Sequence, residues 1–530
     1  MKKIICLLLC FVLLSFSGCR QTPDDNYSSQ APEQAQSDPQ KTQSISLLYS
    51  YGDTFDPYTA STDANRQLAS LLYDSLTKTD NNFVAECVLA LSAQTKDRVC
   101  TVKLRDAVFT DGSAVTSQDV IYSYNLAKNC PLYSYNFYEV TSVSAPDSKT
   151  VVFNLSQNDE YFINLLDFPI IKNASAGKKD ADGKEVAPIG CGRYYLAEDG
   201  LSLKLNESYY GKKGAIKSIN LINSPDAAST SHYVEVGATQ IYYTDGDSIV
   251  RMSGKKTEVN LNRLVYIGIN SGLGSLQTKQ MRYAISSALD REAICQSAYY
   301  NNATSATGFF NPSFEPTKAV QTIENKPSLK ITVENLAKIG YNNLNSNGYY
   351  ANASGNNPAF RLLVNSESSS RVAAAKLIAA QCKSAGIQLE VEECTFAQYT
   401  ERLASGNFQL YLGETQILDN MDFTNLVLPG GSVAYGVGLE PDDNANTAEP
   451  QTDEPQDTDT APKTDTCEAI LTSYKNGACG ISDVAATLLT EMPQIPVCYL
   501  SGVLFYDSDI TGGVVSSTSD IYLTIQNYEF

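Results

Sequence analysis

The stretch from Cys100 to Lys128 constrains the fold of this chain more than any other part of the sequence. Its first residues alternate between polar and apolar side chains, which predicts a half-buried β-strand. The pair Asp111-Gly112 that follows is typical of a turn. Thr116 precedes Asp119 by three residues, and this spacing predicts a helix N-cap in which the acid returns the hydrogen bond. The stretch therefore predicts a strand, a turn and a capped helix in immediate succession.

Length and charge limit the classes of protein to consider. A chain of 530 residues is too long for one ordinary hydrophobic core, so two or three lobes are expected. The apolar content of 43% and the charged content of 18% are those of a folded, soluble protein. The formal net charge of −20 makes nucleic acid a poor partner, because affinity for nucleic acid depends on neutralising phosphates.

The amino terminus predicts export and a lipid anchor. Met1 to Lys3 form a short basic segment, and Ile4 to Leu14 form an apolar run too short to span a membrane, as in a signal peptide of residues 1–18. The residues from Phe16 to Cys19 resemble a lipobox, in which Cys19 is diacylated and becomes the mature terminus. The alternative is an ordinary secretory peptide with an unrelated cysteine. Residues 19–43 are rich in Gln, Ser, Asp and Pro and are expected to form a flexible tether.

Two motifs carry a resemblance to a known family. The first lies in the opening stretch, and its matching residues are Lys103, Leu104, Arg105, Asp106, Phe109, Asp111, Gly112, Val115, Thr116, Asp119, Val120, Ser123 and Tyr124. The second runs from Met281 to Ile294 and reads MRYAISSALDREAI. Together they resemble the signature of the bacterial extracellular solute-binding proteins of family 5, the oligopeptide and dipeptide receptors of ABC importers.

The resemblance implies an α/β chain with a two-lobed periplasmic-binding-protein-like fold, whose lobes are joined by two crossings. The division expected is residues 44–62, 186–262 and 496–530 for the first lobe core, 63–185 for an additional subdomain of that lobe, and 263–495 for the second lobe. Within the second lobe, residues 440–466 contain nine acids, one lysine and almost nothing that could be buried. This acidic insertion is therefore predicted to be disordered.

Periodicity predicts several elements of the second lobe. Apolar residues recur at helical spacing from Lys279 to Ala293, which predicts one continuous helix. Ser370 to Ser384 is predicted to be a helix between two strands, and Phe396 to Ser405 a further helix. Phe408 to Leu412 is predicted to be a strand, and the residues after this strand usually face the ligand in the family.

Cysteine usage fits an exported protein. Ten cysteines follow Cys19, without the spacing of a zinc site. In an exported protein such cysteines favour disulfides or buried thiols over catalysis, and some of the ten are expected to be paired. Cys87 and Cys100 are the best local pair, because a hairpin could place them opposite each other.

The resemblance also implies where a ligand binds, namely between the end of the first strand and the segment after Leu412. The candidate ligand-binding residues are Tyr51, Gly52, Asp53, Tyr133, Tyr135, Gly413, Glu414, Thr415, Asp419 and Asp422. Peptide-binding relatives have a glycine, an aromatic residue and an aspartate in that segment, and here the tryptophan is missing. Asp419 is the predicted partner of a ligand ammonium group, with Asp422 or Asp53 as substitutes. The alternatives are that Asp419 is solvated on a loop and that the two tyrosines simply pack.

The sequence disfavours an enzyme. His232 is the one histidine of the chain, so a histidine metal cluster or a Ser-His-Asp triad would have to be built from it alone. No nucleophile elbow, zinc-protease motif, phosphate-binding loop or C-x-x-C motif is present. No catalytic residue, cofactor or metal is therefore expected. The absence of tryptophan lowers the expectation of a sugar ligand, although 33 tyrosines leave it open.

These inferences converge on a lipid-anchored substrate-binding protein of an ABC importer, facing the extracellular or periplasmic side of the cell membrane. Its expected partners are a peptide or other small solute, the transporter permease and, through the lipid anchor, the membrane, with no nucleic acid and a monomeric state. The alternative is a surface lipoprotein that uses the same fold for sensing or adhesion without transport, because a fold does not fix a function.

The lipid anchor makes a direct prediction. Replacing Cys19 with Ala removes the acylated thiol, and two acyl chains are what makes such anchoring stable. The Cys19→Ala protein should therefore be released from membranes, as measured by fractionation and immunoblotting. Firm membrane attachment of the variant would contradict the prediction.

Overall fold

A computed structural model describes residues 44–245, 252–439 and 464–530 of the chain. The predicted signal peptide, Cys19, the tether of residues 19–43 and residues 440–463 of the acidic insertion lie outside the described residues.

The strands follow one another throughout the described residues. In chain order they are β1 (Ser44–Tyr49), β2 (Thr77–Thr79), β3 (Ala85–Cys87), β4 (Ala90–Lys96), β5 (Val99–Leu104), β6 (Val140–Asp147), β7 (Thr150–Leu155), β8 (Tyr194–Leu196), β9 (Ser202–Leu205), β10 (Ser218–Asn223), β11 (Ile241–Thr244), β12 (Lys255–Ile269), β13 (Ala303–Ser305), β14 (Asn343–Leu344), β15 (Tyr350–Ala351), β16 (Ala359–Asn365), β17 (Gln388–Cys394), β18 (Leu410–Gln416) and β19 (Ile495–Tyr506).

The α-helices lie between groups of these strands in the chain. In chain order they are α1 (Asp63–Leu72), α2 (Ser117–Ala127), α3 (Ala227–Glu235), α4 (Lys279–Ser287), α5 (Arg291–Ala298), α6 (Leu329–Lys338), α7 (Ser369–Ser384), α8 (Phe396–Ala404), α9 (Thr424–Val427), α10 (Thr464–Lys475) and α11 (Ile481–Glu491).

Strands β1, β10, β9 and β8, in that spatial order, form the sheet of the first lobe core. Alternate residues of β1 are buried, as its sequence predicted. Helix α1, which the sequence-based division placed in the additional subdomain, packs against β1 and β8 of this sheet. The chain passes so close to the end of α1 that a Cβ atom at Gly192 would lie 2.4 Å from the carbonyl carbon of Leu72. A side chain at position 192 would therefore clash with backbone.

The additional subdomain is built on β4, β5, β7 and β6, in that order. It contains the opening strand-turn-helix stretch, and β5 and α2 confirm that prediction. The backbone N–H and hydroxyl of Thr116 both donate to Asp119, at 2.8 and 2.7 Å, so the capping box is also confirmed.

The predicted disulfide between Cys87 and Cys100 is wrong. In the strand pairing, Cys87 lies opposite Thr77 and Cys100 lies opposite Thr95, so the hairpin does not bring the two cysteines together. Cys87 is exposed and Cys100 is buried, and all ten cysteines among the described residues are free thiols. The prediction failed because the two cysteines lie in strands that do not pair with each other. Cys87 is in β3, which pairs with β2, and Cys100 is in β5, which pairs with β4 and β7.

A sheet with the order β11, β19, β12, β18, β16, β17 connects the lobes. Its β12 and β19 pair antiparallel from Lys255 opposite Tyr506 to Ile267 opposite Ile495. The register shifts between Asn260 and Arg263, where the backbone φ angle of Asn262 is +50°. β12 has two extra residues here, Leu261 and Asn262, and extra residues in one strand bend it, so the two crossing strands change direction at this point.

The second lobe shows the predicted alternation of strands and helices. β16 and β17 are parallel neighbours joined by α7, and α8 follows β17. The predicted single helix from Lys279 to Ala293 is wrong, because it is divided into α4 and α5. The side chain of Asp290 accepts a hydrogen bond from the backbone N–H of Ala293 at 2.9 Å. This N-cap starts a new helix and overrides the continuous apolar stripe.

Two boundaries also differ from the sequence-based prediction. β18 extends to Gln416, so Gly413 and its next neighbours lie in the strand and not in a loop after it. Helix α10 begins at Thr464, so the last three residues of the predicted disordered insertion are helical. In both cases the regular backbone structure continues beyond the residues that carry the apolar pattern. The pattern alone therefore does not locate the boundary of the element.

Arg291 anchors α5 to the crossing strand β19 and gives a test of this arrangement. Its side chain is fully buried and donates to the carbonyl oxygens of Pro496 and Ser286, both at 3.0 Å, and to the Ser286 hydroxyl at 2.8 Å. Arg291→Ala leaves these acceptors buried without a donor, and should lower the free energy of unfolding by about 3 kcal/mol or more, measured by urea unfolding.

The matched control is Arg361→Ala. The Arg361 side chain is 68% exposed and its guanidinium lies 4.0 Å from Glu392. Its removal should change the free energy of unfolding by no more than about 0.5 kcal/mol. Equal losses for the two variants would show that Arg291 does not have this anchoring role.

Candidate ligand-binding cleft

A cleft of about 970 Å³ lies at the junction of the first lobe core, the additional subdomain and the second lobe. Ser50 after β1 and residues of α1 line it from the first lobe core, Asn136 and Asp167 from the subdomain, and Leu418 and Asp419 from the second lobe. A volume of this size is at the upper end of the range for small-molecule sites. The three parts of the chain therefore enclose enough space for a ligand of several residues.

The basic side chains of the cleft are occupied by acids of the protein. Lys78 lies 2.8 Å from Asp520 and 3.5 Å from Asp74, and all three are buried. Arg66 lies 3.4 Å from Asp63. Arg263 contacts Asp245 at 3.6 Å and Glu414 at 3.8 Å. These ion pairs hold side chains of the cleft walls in position. The positive charges of Lys78, Arg66 and Arg263 are therefore already neutralised by acids of the protein.

Among the described residues, the cleft acids Asp167 and Asp419 accept hydrogen bonds from neutral side chains and have no ion-pair partner. Asp419 accepts from the Thr79 hydroxyl at 2.9 Å, and Asp167 accepts from the side-chain amide of Asn136 at 3.3 Å. Burial raises the pKa of Asp419 to about 6, with the Thr79 hydrogen bond opposing the rise. Burial, and then the charge of Asp419, raise the pKa of Asp167 to about 7. Both carboxyl groups therefore lie where a negative charge is poorly compensated.

Of the residues expected from the sequence to bind ligand, the structure brings Asp419 and Tyr133 into this cleft. The Tyr133 ring packs edge to face on Tyr58, with centroids 6.0 Å apart, while its residue also lines the cleft wall. Burial raises the pKa of Tyr133 above its usual range, and the charge of Asp167 adds to this. Tyr133 therefore packs against Tyr58 and also lines the cleft, and its contact with a ligand stays a prediction.

The structure places Tyr51, Gly52 and Asp53 outside the cleft lining. Tyr51 is 58% exposed, and the Lys184 ammonium lies 4.1 Å above its ring centroid. Asp53 accepts hydrogen bonds from the backbone N–H and hydroxyl of Thr62, at 2.7 and 2.6 Å. Asp53 and its neighbour Gly52 thus belong to the turn that leads into α1, and Asp53 is occupied in holding that turn.

Residues of the extended strand β18 are also occupied within the protein. A Cβ atom at Gly413 would lie 2.5 Å from the ring of Tyr266. The glycine therefore allows the Tyr266 ring to pack directly against the backbone of β18. Glu414 binds the guanidinium of Arg371 at 2.8 and 2.9 Å. Thr415 pairs with Leu264 of β12. None of the three lines the cleft.

Tyr135 and Asp422 lie in other surroundings. Tyr135 is 67% exposed and does not line the cleft. Asp422 belongs to a group that we call the interlobe carboxylate cluster, defined as Glu139, Asp159 and Asp422 together with Lys475. The Lys475 ammonium lies 3.7 Å from Asp422, and the Tyr138 hydroxyl lies within hydrogen-bond distance of carboxylate oxygens of both Glu139 and Asp422 and can donate its one proton to either. Asp422 therefore already has a cation from its own lobe.

Sequence reasoning missed Asp167. It is the one charged residue between Phe162 and Ile171, a stretch whose other members are apolar apart from Asn164. An acid inside such a run is a signal of a buried polar site, since buried acids are rare unless they serve a contact. Asn164 also contributes, because its side-chain amide donates to the backbone oxygen of Asp419 at 2.9 Å.

Two other kinds of feature are absent from the described residues. In residues 44–245, 252–439 and 464–530, no group of three or more His, Cys, Asp or Glu side chains is placed to hold a metal ion. In the same ranges, no helix has the length and apolar character needed to cross a membrane.

Comparison with known proteins identifies relatives of this chain. Residues 86–433 match the family model of "Bacterial extracellular solute-binding proteins, family 5 Middle". The oligopeptide-binding protein AppA of Bacillus subtilis (strain 168) is 24% identical over 377 residues, which cover 67% of this chain and 69% of AppA. The glutathione-binding protein GsiB of Escherichia coli (strain K12) is 27% identical over 279 residues, which cover 49% of this chain and about half, 54%, of GsiB.

Solved structures show the same fold. The crystal structure of a nickel ABC transporter protein from Bacillus halodurans superimposes with a TM-score of 0.70 at 18% identity, covering 92% of this chain and 100% of that chain. At this identity the likeness establishes the two-lobed fold and leaves the ligand open.

The raised pKa values predict how stability depends on pH. Asp167 and, in the interlobe carboxylate cluster, Asp159 have a pKa of about 7, and Asp419 has one of about 6, each raised first by burial. An unfolded aspartate titrates near pH 4, so between about pH 4 and 7 the folded state binds more protons than the unfolded state. Stability of the ligand-free protein should therefore fall as pH rises through this window.

Thermal unfolding from about pH 5 to about pH 8 measures this effect. The Tm should fall with rising pH, and Asp167→Asn should make the fall smaller. Asp106→Asn is the control, because it removes the same charge from a fully exposed side chain. A Tm that rises over this range would contradict the assignment of raised pKa values.

Proposed function

This chain belongs to the bacterial extracellular solute-binding proteins of family 5, and from that premise we propose that it captures an oligopeptide or similar small solute for an ABC importer. Family 5 proteins bind solutes and are not enzymes, and homologues of this chain are substrate-binding proteins of ABC importers. The proposal assigns to this chain the capture step: the ligand enters the cleft, the lobes close and the permease recognises the closed form.

The observation that carries the proposal is Asp419 in the cleft wall. Its side chain lines a cleft of about 970 Å³, and among the described residues its side-chain donor is the Thr79 hydroxyl alone. A ligand ammonium group placed there would make a charge-assisted hydrogen bond in surroundings that exclude most water. A peptide with a free amino terminus supplies that group, and a relative of this chain, AppA, is an oligopeptide-binding protein.

The sheet that joins the lobes is suited to closure. β12 and β19 cross between the lobes side by side, and the register shift near Asn262 gives them a local bend. A ligand that contacts both lobes binds the closed arrangement more tightly than the open one, and so shifts the population toward it.

Anchoring at the membrane completes the proposal. We infer that Cys19 carries the lipid that holds the protein at the outer face of the cell membrane, beside the permease. The lipobox resemblance of the residues before Cys19 supports this assignment. Loss of peptide uptake in a deletion strain would support the transport role, whereas unchanged uptake with altered signalling or attachment would favour a sensing or adhesion role.

Asp419→Asn tests the ligand site. The natural ligand is first identified by mass spectrometry of molecules released from the purified protein, and its affinity is then measured by calorimetry. For an amine-bearing ligand, the variant should lose affinity by about tenfold or more, which corresponds to about 1.4 kcal/mol. Asp106→Asn, with an exposed side chain, should bind as the wild type does. Unchanged affinity of Asp419→Asn would remove this residue from the site.

A further inference from the structure

Two buried cysteines, Cys295 and Cys498, lie where helix α5 packs against the crossing strand β19. Cys295 belongs to α5 and Cys498 to β19, and they are 203 positions apart in the sequence. α5 contacts both β19 and its neighbour β13. Both side chains are buried in the same hydrophobic core, and both are described as free thiols.

Strand β13 relates the position of Cys498 to that of Cys295. Ser305 of β13 is the antiparallel partner of Cys498, and the backbone N–H of Ala306 donates to the oxygen of Val497 at 3.1 Å. Residues opposite each other in an antiparallel pair project to the same face, with Cβ atoms about 4.5–5.5 Å apart. The Cys295 sulfur lies 3.7 Å from the Ser305 hydroxyl oxygen. It therefore lies on the face of β19 from which the Cys498 side chain projects, next to that side chain.

A second contact between α5 and β19 fixes the same alignment. Arg291 precedes Cys295 by four residues, so the two side chains share one face of the helix. Its Nε atom donates to the backbone oxygen of Pro496 at 3.0 Å, and Pro496 precedes Cys498 by two residues. Four residues of helix rise about 6 Å and two residues of strand about 6.6 Å. The Arg291 contact thus sets α5 along β19 with Cys295 level with Cys498.

The surroundings of the two thiols also differ from those of other buried cysteines. A hydrogen bond with the Cys498 thiol lowers the pKa of Cys295, and Ser305 and the charge of Arg291 act in the same direction against burial. Burial, with the hydrogen bond to Cys295, raises the pKa of Cys498. Burial alone raises the pKa of Cys382, in α7 of the same core, to about 12. The thiolate is the attacking form in disulfide exchange, so Cys295 is the better nucleophile of the pair.

We propose that Cys295 and Cys498 form a disulfide in the exported protein, and that this bond ties α5 covalently to β19. The family to which the chain belongs is extracellular, and disulfides persist outside the reducing cytosol. The oxidant required is another disulfide, either a small-molecule disulfide such as oxidised glutathione or that of an exported thiol oxidoreductase. The inference does not depend on which solute the cleft binds.

The reaction is a two-step thiol–disulfide exchange. The Cys295 thiolate attacks one sulfur of the oxidant, which forms a mixed disulfide and releases one thiolate. The Cys498 thiolate then attacks the Cys295 sulfur, which forms the Cys295–Cys498 bond and releases the second thiolate. The two cysteine protons end on the two released thiols, and the oxidant gains two electrons. Because both sulfurs are buried in the folded chain, the exchange takes place during folding, before α5 has docked on β19.

The bond would close most of the second lobe into one covalent loop. Residues 296–497 contain helices α6 to α11 and strands β13 to β18. A cross-link across a loop of this length restricts the unfolded chain strongly and the folded chain little. The oxidised protein should therefore be more stable than the reduced protein.

Peptide mapping tests the pairing directly. The full chain is expressed in a bacterium, recovered from outside the cytoplasm, and treated with N-ethylmaleimide in denaturant without a reductant. Digestion with trypsin and a glutamate-specific protease follows. Cleavage after Glu292 and Glu491 places Cys295 and Cys498 in separate peptides that contain no other cysteine. Mass spectrometry should find these two peptides joined, and free of each other after reduction.

Thermal unfolding with and without dithiothreitol gives a second measurement. The reductant should lower the Tm of the wild type by several degrees. Cys295→Ala and Cys498→Ala should each abolish this difference, and each variant is compared with itself, so a change in its basal stability does not enter. Cys382→Ala is the matched control, because it removes a buried thiol from the same core. It should keep both the joined peptides and the dependence of the Tm on reductant.

Three results would overturn the pairing. The first is N-ethylmaleimide on both Cys295 and Cys498 in the exported protein, and the second is a bond from either residue to a different cysteine. The third is a Tm that responds to reductant equally in the wild type and in Cys295→Ala. None of these results bears on solute capture, which the affinity measurements on Asp419→Asn test separately.

Discussion

Strands β12 and β19 lie side by side from Lys255 opposite Tyr506 to Ile267 opposite Ile495, and this backbone pairing determines where the other parts of the molecule can be. β11 pairs with the outer edge of β19, and β18 pairs with the other edge of β12. Where the register shifts, the backbone oxygen of Asn262 accepts from the N–H of Ile417 at 2.9 Å, and its side chain donates to the Ile417 oxygen at 3.1 Å. The bend between the lobes therefore also fixes the residues that lead to Asp419.

The pairing of charged side chains also shapes the cleft. In a chain with a formal net charge of −20, basic side chains are scarce, and those near the cleft are bound to acids that shape its walls. Leaving a carboxylate in such a place costs stability unless something compensates it. Burial raises the pKa of both Asp167 and Asp419, so ionising either carboxyl group costs stability in the ligand-free protein. Sites with perturbed pKa values are where functional contacts concentrate.

Sequence reasoning succeeded where the signal was local. The capping box of Thr116 and Asp119 and the strand before it are short-range patterns, and the structure contains both. It failed where a competing interaction decided the outcome. The cap at Asp290 divides a helix that the apolar stripe joined, and pairing of β3 with β2 separates the two cysteines that a simple hairpin would have opposed. In each case a hydrogen bond or pairing partner outside the pattern was decisive.

The residues of the candidate ligand site could also be predicted only in part from the sequence. A resemblance in the segment after β18 was enough to single out Asp419, because that residue follows its strand in the chain. It could not single out Asp167, which is separated from Asp419 by 252 positions in the sequence and belongs to a segment without a ligand-binding motif. Both residues line the same cleft because the subdomain packs over the end of β18, where the side-chain amide of Asn164 donates to the backbone oxygen of Asp419 at 2.9 Å. The lining of the cleft is therefore a property of tertiary structure: Asp419 is visible in a local motif, whereas Asp167 joins the lining only through the packing of the subdomain against the second lobe.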